Sequence, residues 1–398
     1  MKKSIFFAAL VAAVMTACSN EETLEQQNVE SQSSAISFRT VANNGTRATI
    51  MDSQNIKDFQ VSAVYSDYTN GAATGATLMD NVVVVRNLAS SDLTVDDFTY
   101  EPTKYFPVDG EAVDFYAFSP AGSRNLASAT ITNDLVAASN YTTTGTSKMD
   151  LVYTVPLTDP SSEGTTLSQE DFLVASNLQN NGKTSNDVLM TFDHALSKVT
   201  FAAKNVAPNT TVNISAIKLM NLGNSATLTL GYTRGETIVK SLSWAEPAAR
   251  TSAYAASVPA TGFTLVGAND AEYSSLTTVN EGLMVLPQTL QLFADGATFD
   301  DATDPYVEIT YSMNDASGLS LYPAGTKARF PLSALSVGDA PFYNETSNPT
   351  NKLLCGHSYN LQFTFGAAGS GNEGAGAVNE IKFSVSVETW NGTDHPIE

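Results

Sequence analysis

The sequence is short of the residues that build metal centres and disulfide frameworks. Its 398 residues include two cysteines and three histidines, and the histidines are scattered at His194, His357 and His395. None of them has a cysteine or a carboxylate at the spacing that metal ligands require. We therefore predict no metal site, no cofactor and no disulfide.

Basic residues are scarce relative to acidic ones. The chain has 20 Lys and Arg against 41 Asp and Glu, which gives a formal net charge of −21 at pH 7. The phosphates of a nucleic acid would repel such a chain, so we exclude DNA and RNA as partners. No serine stands in a Gly-x-Ser-x-Gly turn, and no other catalytic group is recognisable, so we predict that the protein is not an enzyme.

Long runs with helical periodicity are also missing, and short strand-like segments take their place. Gly, Asn, Asp and Pro separate these segments, as they do in β-sandwiches. These segments fall into two successive rounds of seven predicted strands, one round for each domain. The first round comprises residues 36–40, 59–66, 81–87, 98–106, 112–119, 151–155 and 172–176. The second comprises residues 188–203, 212–219, 226–230, 282–287, 306–312, 358–365 and 380–390. We predict an all-β protein with two β-sandwich domains in tandem.

Composition sets the expected domain bounds. Residues 177–187 are polar and rich in Asn, which is typical of a linker, so we place the N-terminal domain at residues 48–182 and the C-terminal domain at residues 183–398. Residues 121–147 are rich in Ser, Thr, Ala and Asn. They interrupt the first round, and either a surface loop or a short helix fits them.

The longest apolar run lies at the N-terminus. Residues 4–17 follow Lys2 and Lys3, are too few to span a bilayer as a helix, and end at Cys18. They resemble a bacterial lipoprotein signal, which predicts a signal peptide at residues 1–17, a lipid on Cys18 and a disordered tether at residues 18–34. An ordinary signal peptide with a chance cysteine is the alternative. With Cys18 lipidated, Cys355 lacks a partner and is expected to be a buried free thiol.

Residues 35–47 predict a short strand followed by a cleavable loop. Ile36 and Phe38 alternate with polar residues, and the Asn-Asn-Gly turn that follows presents Arg47. We predict that a trypsin-like protease cuts between Arg47 and Ala48 and frees the strand. An open sheet edge would remain for another subunit to fill.

The last predicted strand, residues 380–390, is a candidate donor for such an edge. Its apolar face carries Ile381, Phe383, Val385 and Val387. The simpler alternative is that this strand completes its own domain, and the chain continues for only eight residues after Trp390.

An acidic loop is the remaining candidate ion site. Asp300, Asp301 and Asp304 stand close together, but their spacing fits no known calcium loop. A solvated acidic turn is the simpler interpretation.

Six stretches, taken together, resemble the fimbrillin family of Bacteroidetes. They occur in the family's order and span nearly all the chain after the tether. They are ISF at residues 36–38 with TRA at 46–48, KYFP at 104–107 leading to VDFYAFSP at 113–120, MTFDHALSKV at 190–199, LMVLPQ at 283–288, GHSY at 356–359 and VSVETW at 385–390.

The resemblance implies a fold, a route and partners. The fold would be two transthyretin-like Greek-key β-sandwiches, and the route would be lipoprotein export, attachment to the outer-membrane lipid through Cys18 and strand release by an Arg-specific protease. The implied location is the outer-membrane surface and the fimbrium, with other fimbrial subunits as partners and a host or bacterial surface glycan or protein as a ligand. We predict a pilus subunit, tip-like or accessory and adhesive. The alternative is a monomeric glycan-binding lipoprotein, and an enzyme of unrecognised type ranks third.

Overall fold

The structure, a computed structural model, describes residues 34–42, 56–67, 74–87, 98–107, 111–137, 143–157, 169–180, 187–234, 238–276, 282–290, 299–332, 336–337, 340–341, 352–366 and 382–389. These residues form 26 strands and contain no α-helix, so the prediction of an all-β protein is confirmed. No helix among them is long and apolar enough to cross a bilayer. The Greek-key connectivity of the sandwiches stays a prediction.

The strands of the first half of the chain are short to medium in length. They are β1 (Ser37–Ala42), β2 (Asp58–Asp67), β3 (Thr74–Arg86), β4 (Phe98–Thr99), β5 (Val113–Ser119), β6 (Leu126–Asn133), β7 (Val136–Ala137), β8 (Thr143–Thr154), β9 (Leu173–Asn180), β10 (Asp187–His194), β11 (Ser197–Asn205), β12 (Thr210–Leu222) and β13 (Ser225–Arg234).

The second half contributes as many strands, several of only two residues. They are β14 (Ile238–Trp244), β15 (Ser252–Ala255), β16 (Phe263–Val266), β17 (Ser274–Ser275), β18 (Leu283–Val285), β19 (Gln288–Thr289), β20 (Tyr306–Asp315), β21 (Ser320–Pro331), β22 (Ser336–Val337), β23 (Ala340–Pro341), β24 (Lys352–Leu353), β25 (His357–Phe365) and β26 (Lys382–Thr389).

The first sheet has seven strands in the order β1-β10-β9-β5-β2-β3-β4. Its two edges meet, because residue 35, just before β1, bridges to residue 105, six residues after the end of β4. The sheet therefore curls around its own apolar core, to which Phe38, Phe59, Phe115 and Phe192 all contribute. Because this core draws on strands from both edges, β1 is one wall of it.

The outer face of the first sheet packs on a second sheet, ordered β14-β13-β8-β6 with β7 beside β8. Strand β5 explains why one strand can serve two cores. All seven of its residues are buried, and successive side chains point to opposite faces. Phe115 enters the core of the curled sheet, whereas Tyr116 and Phe118 enter the core shared with the second sheet.

A buried carboxylate ties these two sheets together. Asp114 is fully buried and accepts hydrogen bonds from the Gln179 backbone N–H (2.9 Å), the Ser147 hydroxyl (3.2 Å) and the Tyr232 hydroxyl. The Tyr116 hydroxyl in turn contacts Ser147 Oγ at 2.6 Å. Charge-assisted hydrogen bonds from several donors are what make a buried carboxylate tolerable.

Most of the remaining strands form a second sandwich. A third sheet, β15-β12-β20-β21 with β16 beside β12, faces a fourth sheet, β17-β11-β25-β26-β22-β23 with β18 beside β11. Alternate residues of β12 and β20 enter the core between these sheets, where Phe330 and Phe363 meet with ring centroids 5.3 Å apart. Strands β19 and β24 form a separate two-stranded sheet.

The predicted boundary between residues 182 and 183 does not separate the sheets. It falls between β9 and β10, which are antiparallel neighbours in the first sheet. Strand β13, from the second predicted domain, pairs with β8 from the first along ten residue pairs. Strand pairing therefore crosses this boundary. A polar Asn- and Gly-rich composition suits the connection of two paired strands as well as a domain linker.

The segment 121–147, expected to be a loop or a helix, contains strands β6 and β7 and the start of β8. Most residues described in this segment are in strands, so neither the surface loop nor the helix fits them. The apolar content of β6 is low because it is the outermost strand of the second sheet, where most of its residues are partly or fully exposed. Strands β14, β15, β16, β17 and β21 also escaped prediction, since each is short, at a sheet edge or largely exposed.

Candidate functional site

The candidate site is the position that β1 occupies. Strand β1 runs parallel to β10 over six residue pairs, from Ser37 opposite Asp187 to Ala42 opposite Phe192. On its other side, the Ile36 N–H donates to the Lys104 carbonyl at 2.9 Å, and the N–H of residue 106 donates to the carbonyl of residue 34 at 3.1 Å. The segment is thus held by main-chain hydrogen bonds on both sides.

Two side chains of the predicted removable strand, those of Ile36 and Phe38, hold this segment in the core. They are 3% and 2% exposed. The Phe38 ring meets Phe59, Tyr100 and Phe115 edge-on at centroid distances of 5.6, 5.6 and 5.9 Å. Burying two such side chains contributes roughly 3–6 kcal/mol. We call the surface that β1 covers, formed by β10, residues 104–106, Phe59, Tyr100, Phe115 and Arg86, the β1 slot.

The third inward side chain of β1 is polar. Thr40 is 1% exposed, and its Oγ1 lies 3.5 Å from Nη2 of Arg86, which is 4% exposed. Arg86 is held in place because its Nε donates to the Ile56 carbonyl at 3.0 Å and its guanidinium carbon lies 4.8 Å above the Phe98 ring. A cation therefore lines one end of an otherwise apolar slot.

Two further polar contacts hold β1. The Tyr100 hydroxyl donates to the Ile36 carbonyl at 2.9 Å, and burial raises the pKa of Tyr100, so the donor stays protonated at neutral pH. On the outer face, Arg39 Nε lies 3.3 Å from Asp187 Oδ2, and the Ser37 hydroxyl also donates to that carboxylate. The Arg39 and Asp187 side chains are about half exposed, so their ion pair adds little stability.

Part of the predicted site lies outside the described residues. Cys18, Arg47, Ala48 and Ile381 are among these, so lipidation, cleavage and the start of the candidate donor stay predictions. Sequence reasoning also missed Thr40, Arg86 and Tyr100. Alternation alone places Thr40 on the Ile36 face, but nothing in the sequence pairs it with Arg86.

The candidate donor strand is paired within its own chain. Strand β26 is antiparallel to β25 over eight residue pairs, and Val385 is also paired with Val337 of β22. Phe383 is 9% exposed and stacks on Phe363 at 4.8 Å. The strand thus completes its own sheet, the alternative left open by the sequence.

The remaining polar candidates form no reactive centre. His194 Nδ1 lies 2.8 Å from Asp171 Oδ1 in a buried pair at the junction of β10 and β11. Asp300 and Asp304 are bound to backbone N–H groups of their own loop, and Asp301 pairs with Arg329. Within the described ranges, no group of three or more His, Cys, Asp or Glu could hold a metal ion.

Cys355 is the free cysteine of the described residues and is partly exposed. Burial of its sulfur raises the pKa of the thiol to about 11. Thiolate, the reactive form, is therefore scarce at neutral pH. The residue as a whole is less buried than predicted.

The burial of Glu170 predicts that the stability of the fold depends measurably on pH. The Tyr153 hydroxyl donates to its Oε1 at 3.1 Å, the Ser123 hydroxyl also donates to that oxygen, and burial raises the pKa of Glu170 above its ordinary value. A carboxyl whose pKa is higher in the folded state stabilises the fold fully below the unfolded pKa, and this stabilisation is lost as pH rises through the folded pKa. We expect Glu170→Gln, which keeps an acceptor for both hydroxyls, to be at least as stable as the parent at pH 7.5.

The measurement is urea unfolding of parent and variant at pH 5 and pH 7.5. The gain of the variant over the parent should be larger at pH 7.5, whereas the exposed control Glu272→Gln should behave alike at both values. A loss of more than about 1 kcal/mol by Glu170→Gln at pH 7.5 would contradict the expectation.

A family model described as fimbrillin-like matches residues 46–390 of this chain. No curated protein sequence matches it significantly. Among solved structures, a fimbrial protein from Bacteroides vulgatus is similar with a TM-score of 0.54 and 14% identity, covering 89% of this chain and 99% of the other. At that identity, the likeness shows a shared fold.

Two further solved structures are less similar to this chain, with TM-scores below 0.5. A candidate cell adhesion protein from Bacteroides uniformis has a TM-score of 0.42 and 16% identity, covering 89% of this chain and 98% of its own. The tip fimbrial protein Mfa3 from Porphyromonas gingivalis, with a C-terminal truncation, has a TM-score of 0.34 and 9% identity, covering 83% of this chain and 94% of its own.

Proposed function

Because this chain belongs to the fimbrillin-like family, we propose that it is a fimbrial subunit at the cell surface that accepts a β-strand from another subunit. It is exported as a lipoprotein through Cys18, and an Arg-specific protease cuts between Arg47 and Ala48. Strand β1 then leaves, and a strand of the next subunit enters the β1 slot. The family supports the fimbrial role, and the N-terminal sequence supports the export route.

The observation that carries the proposal is the construction of β1. It is a wall of the first core, yet it is short, and β10 is the one strand it pairs with among the described residues, apart from two main-chain hydrogen bonds at residues 34 and 36 on its other side. Its departure would uncover unpaired main-chain groups of β10 and the aromatic rings that Phe38 now covers. Such an edge beside an apolar groove is a template for strand addition.

Strand β26, near the C-terminal end of the chain, supports a tip-like or accessory position of the subunit in the fimbria. Strand β26 is paired on both sides within the fourth sheet, and Phe383 is packed in that sheet's core. Donating β26 would break these contacts, so we propose that the subunit receives a strand and keeps its own. A surface glycan or protein is its proposed ligand.

The test is limited trypsin digestion of the purified intact chain. We expect one stable product that begins at Ala48, because Arg47 follows a turn-forming sequence, whereas Arg39 is paired within β1. Arg47→Gln should abolish this product, and the matched control Arg39→Gln should not. If no discrete Ala48 product forms, the assembly proposal fails and the monomeric glycan-binding alternative gains. N-terminal sequencing of protein from native cells would then identify the mature start.

A further inference from the structure

We propose that the β1 slot selects the incoming strand at two polar positions, and that these positions disfavour the terminal strand of a second copy of this chain. The inference rests on the proposed function, because it names the chemistry of the strand that replaces β1. The favoured occupant is a segment of a different polypeptide with the pattern apolar, any, apolar, basic, hydroxyl. It runs parallel to β10, as β1 does.

The inner polar position is that of Thr40. Its hydroxyl lies beside the Arg86 guanidinium, and both residues are almost fully buried. Ile56 and Phe98 fix the guanidinium, so it does not swing away to suit another side chain. A valine has the same shape as threonine but would set a methyl group where the cation now meets an oxygen. Loss of an acceptor beside a buried charged donor is costly.

The outer polar position is that of Arg39. Its guanidinium lies 3.3 Å from the Asp187 carboxylate, which also accepts the Ser37 hydroxyl. Asp187 belongs to β10, so it stays in the slot after β1 has left. An arginine or lysine at this position is attracted to it, whereas a glutamate is repelled. The effect is modest because the pair is half exposed, and salt weakens it.

Two alignments of this chain's own terminal strand fail at the inner position. Its apolar residues can follow the inward pattern of β1 starting from Ile381 or from Phe383. These starts set Val385 and Val387, respectively, at the Thr40 position. Both place a methyl group against Arg86.

The third alignment fails at the outer position. Starting from Val385, it sets Thr389 correctly against Arg86. The preceding residue, Glu388, then takes the Arg39 position and faces Asp187. No apolar-inward alignment of the segment 381–389 satisfies both polar positions, so the slot discriminates against self-donation.

The test measures replacement of β1 in the nicked but otherwise complete protein. The unlipidated full chain is labelled with a fluorescent maleimide at Cys18, to which Cys355 is a slow competitor because of its raised thiol pKa. Trypsin then nicks the chain after Arg47. Peptides of residues 35–42 are added, and fluorescence anisotropy follows release of the labelled segment.

We expect the peptide of residues 35–42 to release the segment at the lowest concentration. Its Thr40→Val version should need about tenfold more and its Thr40→Ser version about the same. Its Arg39→Glu version should need about threefold more at 0.1 M salt and about the same amount as the parent peptide at 1 M salt. In protein carrying Asp187→Lys, the Arg39→Glu peptide should release the segment at a lower concentration than the unchanged peptide of residues 35–42 does. The peptide of residues 381–389 should be weaker than the peptide of residues 35–42.

Two other results are informative in different ways. If all peptides, including residues 381–389, release the segment equally well, the selectivity inference is overturned while strand replacement stands. If no Ala48 end forms, or no peptide releases the segment, strand replacement itself is overturned and the selectivity inference falls with it.

Discussion

Replacing Phe38 with alanine is expected to cost about 3–5 kcal/mol in the stability of β1, the usual range for removing a buried phenylalanine. The ring fills the centre of the β1 slot, and Phe59, Tyr100 and Phe115 surround it edge-on within 6 Å. Its removal leaves a cavity that the strand, anchored otherwise by Ile36, is too short to close.

Hydrogen exchange is the direct measurement of this loss. The amides of β1 should exchange about 100- to 4,000-fold faster in Phe38→Ala, because each factor of ten corresponds to about 1.4 kcal/mol. The second sandwich, formed by the third and fourth sheets, should change little. Arg39→Ala is the matched control in the same strand. Its side chain is half exposed, so a change of less than about 1 kcal/mol is expected.

The same variant bears on assembly. A weaker β1 should leave the slot more readily, so the nicked Phe38→Ala protein should take up a peptide of residues 35–42 faster than the nicked parent does. If Phe38→Ala leaves the exchange of β1 unchanged, the strand is not held by its aromatic contacts, and the account of the slot is wrong.

Replacing Asp114 with alanine is expected to destabilise the whole protein by about 3–5 kcal/mol. The fully buried carboxylate accepts from groups on β8, β9 and β13. Its loss leaves the hydroxyls of Ser147 and Tyr232 and the Gln179 N–H without this acceptor in a dry interior. Each such donor costs about 1–3 kcal/mol when it stays unsatisfied.

Chemical unfolding monitored by circular dichroism measures this effect. Tyr232→Phe removes one of the donors and should cost about 1–2 kcal/mol, so the two variants combined should lose less than the sum of their separate effects. Asp270→Ala, at an exposed position, is the control and should be near neutral. A cost below about 1 kcal/mol for Asp114→Ala would mean that the carboxylate does not tie the two sheets together.

The hydrogen bonds that Asp114 accepts also explain why the two predicted domains are not independent. Tyr232 follows the predicted boundary in sequence, yet its hydroxyl donates to a residue of β5. The ring of Trp244 in β14 similarly meets the ring of Tyr153 in β8 edge-on, with centroids 6.4 Å apart. The second sheet thus combines strands from before and after residue 182, and one apolar core runs through both sandwiches.

Local sequence patterns predicted the ingredients of the site but not its selectivity. Alternation placed Ile36 and Phe38 on one face, and both are buried together. The same alternation extends to Thr40, but a threonine on an apolar face looks tolerable wherever it lies. Its meaning depends on Arg86, which is 46 residues away in sequence and whose approach is set by the pairing of β2 with β3. A long-range contact of this kind leaves no trace in either segment alone.

The sequence by itself determined that the protein is all-β, which segments are strands in most of its core, and which family it belongs to, because side-chain periodicity and turn residues act over a few neighbours along the chain. Only the tertiary structure decided that β10 joins the first sheet, that β13 and β14 join the second, and that β26 is paired within its own sheet. Strand partners are chosen by burial of whole faces and by main-chain hydrogen bonds between distant segments. These interactions are properties of the assembled sheets and not of any one strand.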